Sequence, residues 1–267
     1  MKIQQLLCFG TVPGGGNAAL VVQHDHSSAD QRQRFARERQ QPACVFIDAA
    51  PDGEGGPAFV PNFVLDYYYP HARSPLCLHA TLAAARVLLS PARPTLAVRT
   101  AVRGQPLTLA LRDDGVYIEL APQAPPPVAI GADLPARLLA APGLALASPP
   151  AIASVGSPKL LLQVADGATL AALRPDLPAI AAWGREHGVS GCYAWCRRAD
   201  GALEGRNFNH LDPAMEDSAT GVAAGALAVL LGAGLTLYQG AGLGRPCRIH
   251  ARTGGEHILI GGAADFT

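Results

Sequence analysis

Short apolar runs, separated by polar and turn-forming residues, dominate the hydrophobic pattern of this chain. They are rich in Val, Ile, Leu and Tyr, a composition typical of β-strands. Pairs such as Asp-Gly, which favour tight turns, lie between several of them. We therefore predict strands at ALVVQH, ACVFIDA, TLAVRTAV, LTLALR, GVYIELA, KLLLQVA, GCYAWCRR, CRIHART and EHILIGG.

Helical periodicity is confined to fewer segments. Apolar residues recur with helical spacing, or fill the whole segment, in 28–39, 78–90, 133–141, 175–188 and 218–232. Strands and helices do not alternate strictly, so the pattern does not fit a doubly wound parallel sheet. It predicts an α+β fold.

A Pro- and Ala-rich passage near the midpoint, APQAPPPVAIGADLPARLLAAPGLALASPP, interrupts the rhythm of strands. Such a passage is typical of a connection between domains. We therefore expect an N-terminal half over 1–122 and a C-terminal half over 123–256. A final strand near 257–267 would complete the first half.

Composition and charge limit the kinds of partner. Hydrophobic residues make up 49% of the 267 residues and charged residues 16%, which describes a folded protein with an ample core. Lys plus Arg equals Asp plus Glu, 21 of each, so no net charge favours nucleic acid or an anionic membrane. The six cysteines form no C-x-x-C pair, and the N-terminus lacks the apolar core of a signal peptide. We expect free thiols, a cytoplasmic location and no nucleic-acid partner.

One uncharged run, 218–240, is long enough to span a bilayer. Its first half consists mainly of Thr, Gly and Ala, and two glycines interrupt it, so we interpret it as a buried helix followed by a turn and a strand. No membrane partner is expected.

Two helix starts resemble one another. CLHATLAAARVLL begins at Cys77, and DSATGVAAGALAVLL begins at Asp217. Each has an ionisable residue, then small residues, then an Ala/Leu/Val helix. Small residues let a ligand approach the free N–H groups of a helix N-terminus, which favour an anion. Two such starts could bind a carboxylate and direct acid–base groups at its α-carbon.

Each candidate residue also has an ordinary structural interpretation. Cys77 is either a thiolate base or a small buried hydrophobe. His79 is either an acid–base or substrate-binding group, or a first-turn residue that hydrogen-bonds to the backbone. Asp217 is either a general base or the N-cap of its helix. Glu216 could cap the same helix or lie in solvent.

Four motifs in this order resemble the PhzF-like (phenazine biosynthesis-like) isomerase family, which has the diaminopimelate-epimerase fold. The first is similar to the family's opening strand and Gly-Asn-Pro turn, and the second to its Cys-Gly-His-Ala-Thr helix start. The third is similar to its Arg-x-Phe and Glu-Asp-Pro-x-Thr-Gly-Ser-Ala block, and the last to its closing Gln-Gly and Gly-Arg-Pro run. They are LLCFGTVPGGGNAALVV, CLHATLAAARVL, RNFNHLDPAMEDSATGVAAGALAVLL and YQGAGLGRPCRIHA.

The resemblance implies two pseudo-symmetric halves, each an antiparallel barrel-like sheet around a central helix, with the active-site cleft between them. It implies no metal or organic cofactor and often a homodimer. The acid–base groups would be Asp217, His79 and Cys77. The residues that would bind a small carboxylate-bearing metabolite are Asn17, Leu78, Thr220, Gly221 and Val222.

The chain also departs from the family pattern. Pro42 and Ala43 stand where the family has Ser and its catalytic Glu, and Cys44 would face the opposite side of the strand. Leu78 replaces a glycine and Val222 a serine. No H-E-x-x-H, paired Cys/His set or G-x-S-x-G motif supports zinc or serine-hydrolase chemistry.

Three functions are compatible with these residues. The first is a cofactor-independent isomerase or epimerase that moves a proton beside the carboxylate of a small amino or hydroxy acid. The second is a lyase or double-bond isomerase that uses only Asp217 or His79. The third is an inactive carboxylate-binding protein, because the usual glutamate is replaced at Ala43.

Overall fold

A computed structural model describes residues 1–51, 60–208 and 216–267, so residues 209–215 of the third motif lie outside the described part. Strands outnumber helices in these residues, and the predicted α+β class is confirmed. The helices are α1 Ala29–Arg39, α2 Leu78–Leu88, α3 Leu134–Leu138, α4 Gly167–Ala172, α5 Leu177–His187 and α6 Gly221–Leu231.

Residues Met1–Leu120 and Leu259–Thr267 form one compact unit. Its strands are β1 Lys2–Cys8, β2 Asn17–Gln23, β3 Ala43–Ala49, β4 Phe63–Tyr68, β5 Arg73–Ser74, β6 Thr95–Thr100, β7 Pro106–Arg112 and β8 Gly115–Leu120, with β17 Ala264–Phe266 and the part of β16 His257–Gly262 that starts at Leu259. Neighbours pair in the order β1, β2, β3, β4, β6, β7, β8, while β16 pairs with β8 and β17 with β1. Helix α2 packs against β1, β2, β3, β8 and β17, and its first eight residues are buried.

Residues Ala121–Ile258 form the second unit. Its strands are β9 Ala151–Ala153, β10 Lys159–Gln163, β11 Cys192–Arg197, β12 Leu203–Phe208, β13 Glu216–Asp217, β14 Leu235–Gln239 and β15 Cys247–Gly254. Helix α6 packs against β9, β10, β14 and β15. Side chains from α3, α4 and α5 form an apolar core with alternate residues of β10 and β11.

The two units repeat one order of strand pairings. In the first, β2–β3 and β4–β6 are parallel pairs, joined through α1 and α2. In the second, β10–β11 and β12–β14 are parallel pairs, joined through α4 with α5 and through α6. The β1–β2, β3–β4, β11–β12 and β14–β15 pairs are antiparallel. Parallel neighbours require such a crossover, and a helix usually provides it.

The uncharged run 218–240 contains α6 and β14. Helix α6 has 11 residues and ends at Gly232, whose φ of 62° is left-handed and therefore suits a glycine. Among the described residues, no helix has both the length and the apolar character that crossing a membrane requires.

Candidate active site

Helix α2 begins at a cysteine that does not cap it. Cys77 occupies the N-cap position with extended backbone angles, and its side chain makes no capping hydrogen bond. Its Sγ lies 3.3 Å from Nδ1 of His79, two residues further on. Both side chains are buried. The structure thus brings together two of the predicted residues, in an arrangement that lets a proton pass between sulfur and imidazole.

A chain of hydrogen bonds fixes the backbone at this helix start. The Thr81 hydroxyl donates to the Cys77 carbonyl oxygen at 2.8 Å, and the Tyr67 hydroxyl lies 2.7 Å from Thr81 Oγ1. Because Thr81 already donates its hydroxyl proton, Tyr67 is the donor in the second bond. Burial raises the pKa of Tyr67, so it remains a neutral phenol.

Two further predicted positions each begin an element, one in the strand β2 that packs against α2 and one in α2 itself. Asn17 begins β2, pairs with Cys8 and is buried. Leu78 is the first residue of α2 and is also buried. Substrate contacts by both residues remain predictions.

The residue at the position of the missing glutamate has a small side chain that is shielded from solvent. Ala43 begins β3, is fully buried and pairs with Ala19 of β2. Cys44, the next residue, packs with Phe46 and Tyr68 in an apolar core that also contains residues of α1. Burial raises the pKa of the Cys44 thiol to about 12. Cys44 therefore does not stand in for the family's glutamate.

Helix α6 begins at Gly221, and the aspartate lies before it. Thr220 is the N-cap, and Asp217 belongs to the short strand β13, three residues earlier. The Thr220 hydroxyl donates to Asp217 Oδ2 at 2.8 Å instead of capping the helix. The interpretation of Asp217 as the N-cap is therefore wrong. Gly221 and Val222 follow in the first turn and are buried.

Gln239, at the end of β14, holds this segment in place. Its Nε2 donates to the Asp217 carbonyl oxygen at 2.6 Å and to Thr220 Oγ1 at 3.1 Å. Its Oε1 accepts from the Thr220 N–H at 3.2 Å and from the Tyr193 hydroxyl at 3.0 Å. Gln239 is not among the predicted site residues, although it begins the Gln-Gly part of the fourth motif. The next residue, Gly240, has a φ of 81°, and a Cβ there would lie 2.5 Å from the Ser218 carbonyl oxygen.

The two adjacent acids of β13 differ in their partners. Glu216 forms a two-point ion pair with Arg206 at 2.9 and 2.7 Å. Arg206 also donates to the carbonyl oxygens of Leu170 and Leu173 at the end of α4. Neighbouring strand residues point to opposite faces, so Asp217 faces away from this pair. Glu216 neither caps α6 nor lies free in solvent; it anchors β13.

A buried lysine lies on the same face of the sheet as Asp217. Leu161, Tyr193, Asn207 and Asp217 are register partners across β10, β11, β12 and β13, and paired residues share a face. Lys159 precedes Leu161 by two residues and therefore also shares it. The lysine is 2% exposed, and its Nζ donates to the Ser190 carbonyl oxygen. Burial lowers the pKa of Lys159 to about 8, although the Asp217 carboxylate acts in the opposite direction.

The described residues contain no group of three or more His, Cys, Asp or Glu side chains that could hold a metal ion. All six cysteines are buried and none is in a disulfide.

Known proteins that are similar to this chain in sequence include isomerases. A family model described as "Phenazine biosynthesis-like protein" matches residues 7–265. An uncharacterized isomerase of Deinococcus radiodurans is 32% identical over 98% of this chain and 92% of its own. Trans-2,3-dihydro-3-hydroxyanthranilate isomerase of Pseudomonas aeruginosa is 29% identical over 92% of this chain and 88% of its own.

Solved structures are similar over the full length. A predicted epimerase from Pseudomonas aeruginosa has a TM-score of 0.77 and 25% identity, with 99% of this chain and 96% of the other covered. A hydroxyproline epimerase from Agrobacterium vitis has a TM-score of 0.60 and 14% identity, with 99% and 91% covered, which shows a shared fold. The chain belongs to the phenazine biosynthesis-like protein family, whose named relatives are isomerases.

Proposed function

We propose that this protein is a cofactor-independent isomerase or epimerase. It would remove and return a proton on the carbon beside the carboxylate of a small amino or hydroxy acid. One observation carries the proposal: a carboxylate, Asp217, is fixed by Thr220 and Gln239 directly before the N-terminus of a buried helix. A base and an anion-binding group then lie within one short segment.

The first turn of α6 supplies the anion-binding group. Ala223 and Ala224 donate their N–H groups to the Thr220 carbonyl oxygen, whereas those of Gly221 and Val222 precede the first helical hydrogen bond. Backbone N–H groups at such a position bind a carboxylate. They would also stabilise the negative charge that forms on it when the α-proton leaves. A well-placed donor of this kind is worth about 3–4 kcal/mol in a transition state.

Cys77 is the second acid–base group in this proposal. Epimerisation needs a proton to leave one face of the carbon and another to arrive on the opposite face, so two groups serve it better than one. The 3.3 Å contact between Cys77 Sγ and His79 Nδ1 supports an active thiol. In the alternative lyase or double-bond isomerase, Asp217 or His79 alone would move the proton.

Relatives support the class of substrate. The hydroxyproline epimerase that shares the fold binds trans-4-hydroxy-L-proline, a small carboxylate. The relative at 29% identity is named for the isomerisation of a hydroxyanthranilate. Because Ala43 replaces the family's glutamate, that second reaction is not the one we propose here.

Solvent-deuterium exchange tests the proposal. The protein is incubated in D₂O with a panel of small L- and D-amino acids and 2-hydroxy acids, and NMR records loss of the α-proton signal. We expect exchange with at least one compound, and loss of that exchange in Asp217→Asn. The matched control is Asp200→Asn, the same change at an exposed residue that pairs with Arg198. Absence of exchange across the panel, or exchange that persists in Asp217→Asn, would refute it.

An inactive carboxylate-binding protein is the second candidate, and the closed alanine position at Ala43 favours it. This candidate predicts binding of a small carboxylate, measured by calorimetry, without deuterium exchange. The family resemblance also suggests a homodimer, which light scattering of the purified protein would test.

A further inference from the structure

We infer that Asn207 is a specificity-determining residue, which binds the hydroxyl or ammonium group on the reacting carbon of the substrate. The inference rests on the proposed function, since it assigns a substrate group to the site formed by Asp217 and α6. Asn207 was not among the residues that the sequence singled out.

The side-chain amide of Asn207 is buried and unpaired among the residues that the structure describes. Its exposed fraction is 0%, and neither Oδ1 nor Nδ2 has a hydrogen-bond partner in that part of the chain. An amide carries one acceptor and two donors, and burying such a group unpaired opposes folding. Nearly all buried polar side chains in proteins are paired, so an unpaired amide beside a site points to a ligand.

Asn207 lies directly across the sheet from the proposed base. It pairs with Asp217 in the antiparallel pair of β12 and β13, so both side chains lie on one face. Directly opposed residues have their Cβ atoms about 4.5–5.5 Å apart. A carbon that gives its proton to Asp217 therefore carries its other substituents within reach of the Asn207 amide.

The first unit shows what a satisfied group at this position looks like. Tyr67 occupies the corresponding position in β4, and its hydroxyl bonds to Thr81 of α2. Thr81 is four residues after the N-cap Cys77, and the residue four after the N-cap Thr220 is Ala224. Alanine has no polar side-chain atom, so α6 offers Asn207 no such partner.

The donors and acceptors available define the ligand. The N–H groups of α6 take the carboxylate, and Asp217 takes the α-proton. Asn207 Oδ1 then accepts from a hydroxyl or an ammonium, and Nδ2 donates to a substrate oxygen. A carboxylate with only hydrogen or carbon on its α-carbon would leave Oδ1 unpaired. The shared feature of the substrate is a hydrogen-bond donor on the reacting carbon.

Binding of three matched ligands tests the inference. Calorimetry measures the Kd of a 2-hydroxy acid, the 2-amino acid of the same carbon skeleton, and the unsubstituted carboxylate, for wild type and Asn207→Leu. We expect wild type to bind one or both substituted acids at least tenfold more tightly than the unsubstituted one. Asn207→Leu should lose that preference while still binding the unsubstituted carboxylate. The arm that responds identifies a hydroxy or an amino substrate.

Two further variants make the result decisive. Asn207→Ala is the second test variant, because a smaller side chain cannot clash if leucine does. Asn62→Leu, the same change at an exposed asparagine before β4, is the control and should behave as wild type.

Three results would overturn the inference: a preference that survives in both Asn207 variants, an equal loss of all three ligands, or wild type that binds none of them. A crystal structure in which a water molecule stays bound to Asn207 beside the bound ligand would also do so. Binding with the expected preference but without deuterium exchange would refute the proposed function and leave the inference standing.

Discussion

The two compact units share one order of strand pairings, but their candidate acid–base residues differ in type and in position. Their register aligns Ser74 of β5 with Asp217 of β13, because Ser74 pairs with Tyr67 and Asp217 with Asn207. Each of these residues lies three positions before an N-cap, Cys77 in one unit and Thr220 in the other. The two acid–base candidates, Cys77 and Asp217, therefore do not occupy equivalent positions. Each unit places its candidate acid–base residue at a different point of the same strand–helix connection.

Each unit has an ion pair beside its strand–helix connection, and the two pairs differ in which residue carries which charge. In the first unit, Asp66 of β4 pairs with Arg73 of β5 at 2.8 Å. In the second, the equivalent residues are Arg206 of β12 and Glu216 of β13, paired at 2.7 Å. The charges are exchanged while the cross-strand geometry is kept. An anchoring pair needs only opposite charges, whereas a group that moves a proton needs a particular side chain.

The position of the missing glutamate extends the comparison. Ala43 pairs with Ala19 in the first unit, and the equivalent positions of the second unit are Gly191 and Lys159. The first unit has an apolar pair at this point, while the second has a buried lysine. Of these four positions, only Lys159 carries a titratable side chain.

The largest expected effect comes from substituting the N-cap residues of α2 and α6, Cys77 and Thr220. We expect Cys77→Ser to lower the rate of α-proton exchange by about 10²–10⁴-fold, because a serine hydroxyl is a poor acid–base group. Its counterpart Thr220→Ser keeps a hydroxyl for Asp217 Oδ2 and should change the rate by less than about tenfold. Single-turnover exchange followed by NMR measures both. If Cys77→Ser retains most of the activity, the single-base alternative with Asp217 or His79 is correct.

A smaller effect, on the free energy of unfolding, concerns Gln239 and Thr100, which end the strands that follow α6 and α2. Gln239→Leu leaves the Tyr193 hydroxyl and the Thr220 N–H without their bonds. We expect a loss of about 3 kcal/mol in the free energy of unfolding, since each orphaned buried group costs about 1–3 kcal/mol. The equivalent residue of the first unit is Thr100, which accepts one bond from the Gln105 N–H. Thr100→Val should cost about 1 kcal/mol. Equal losses in urea denaturation would contradict the role of Gln239 as the central group.

Local pattern explains how much of the fold could be predicted. Strand β3 and helix α2 have continuous apolar residues, and both were predicted close to their actual bounds. Strand β12, LEGRNF, was missed because Gly205 and Asn207 occupy its inward positions, so it lacks the apolar alternation of a half-buried strand. In the structure, Tyr193 fills the space that a side chain at Gly205 would need. Only the fold reveals that neighbour.

The candidate site also contains some residues that the sequence pattern indicates and others that only the fold reveals. Asp217, Cys77 and His79 could be proposed from the sequence because their residue types and the family motifs mark them. Gln239 and Lys159 were missed because their importance comes from burial and from partners 22 and 31 residues away. The similarity of the two helix starts was real, but its register was wrong. It matched ionisable residues, whereas the equivalent positions are set by where each helix begins.

The next prediction uses the buried lysine of the second unit. The unfolded chain keeps the Lys159 proton up to a pKa of 10.5, while the folded chain loses it near a pKa of about 8. Unfolding therefore takes up a proton between these values. The free energy of unfolding consequently increases as the pH rises. From pH 7 to 9 this amounts to about 1.4 kcal/mol.

Lys159→Met removes this pH dependence, so the difference in unfolding free energy between wild type and the variant should change by that amount. Denaturation in urea at pH 7, 8 and 9 measures it. Burial also raises the pKa of thiols such as Cys44, to about 12, but that contribution is present in both proteins. An unchanged difference across this range would mean that Lys159 keeps its proton in the folded chain.

The smallest expected effect separates the paired hydroxyl of the first unit from the unpaired amide of the second. Tyr67→Phe removes the bond to Thr81 but leaves no orphan, because the Thr81 hydroxyl still donates to the Cys77 carbonyl oxygen. We expect a loss of about 1 kcal/mol in the free energy of unfolding. Asn207→Leu removes an amide that has no partner in the described part of the chain, so it should cost less than Tyr67→Phe or even stabilise the ligand-free protein. Urea denaturation of both variants without ligand measures the order. If Asn207→Leu is the more damaging change, the amide supports the fold, and the two positions differ less than their hydrogen bonds indicate.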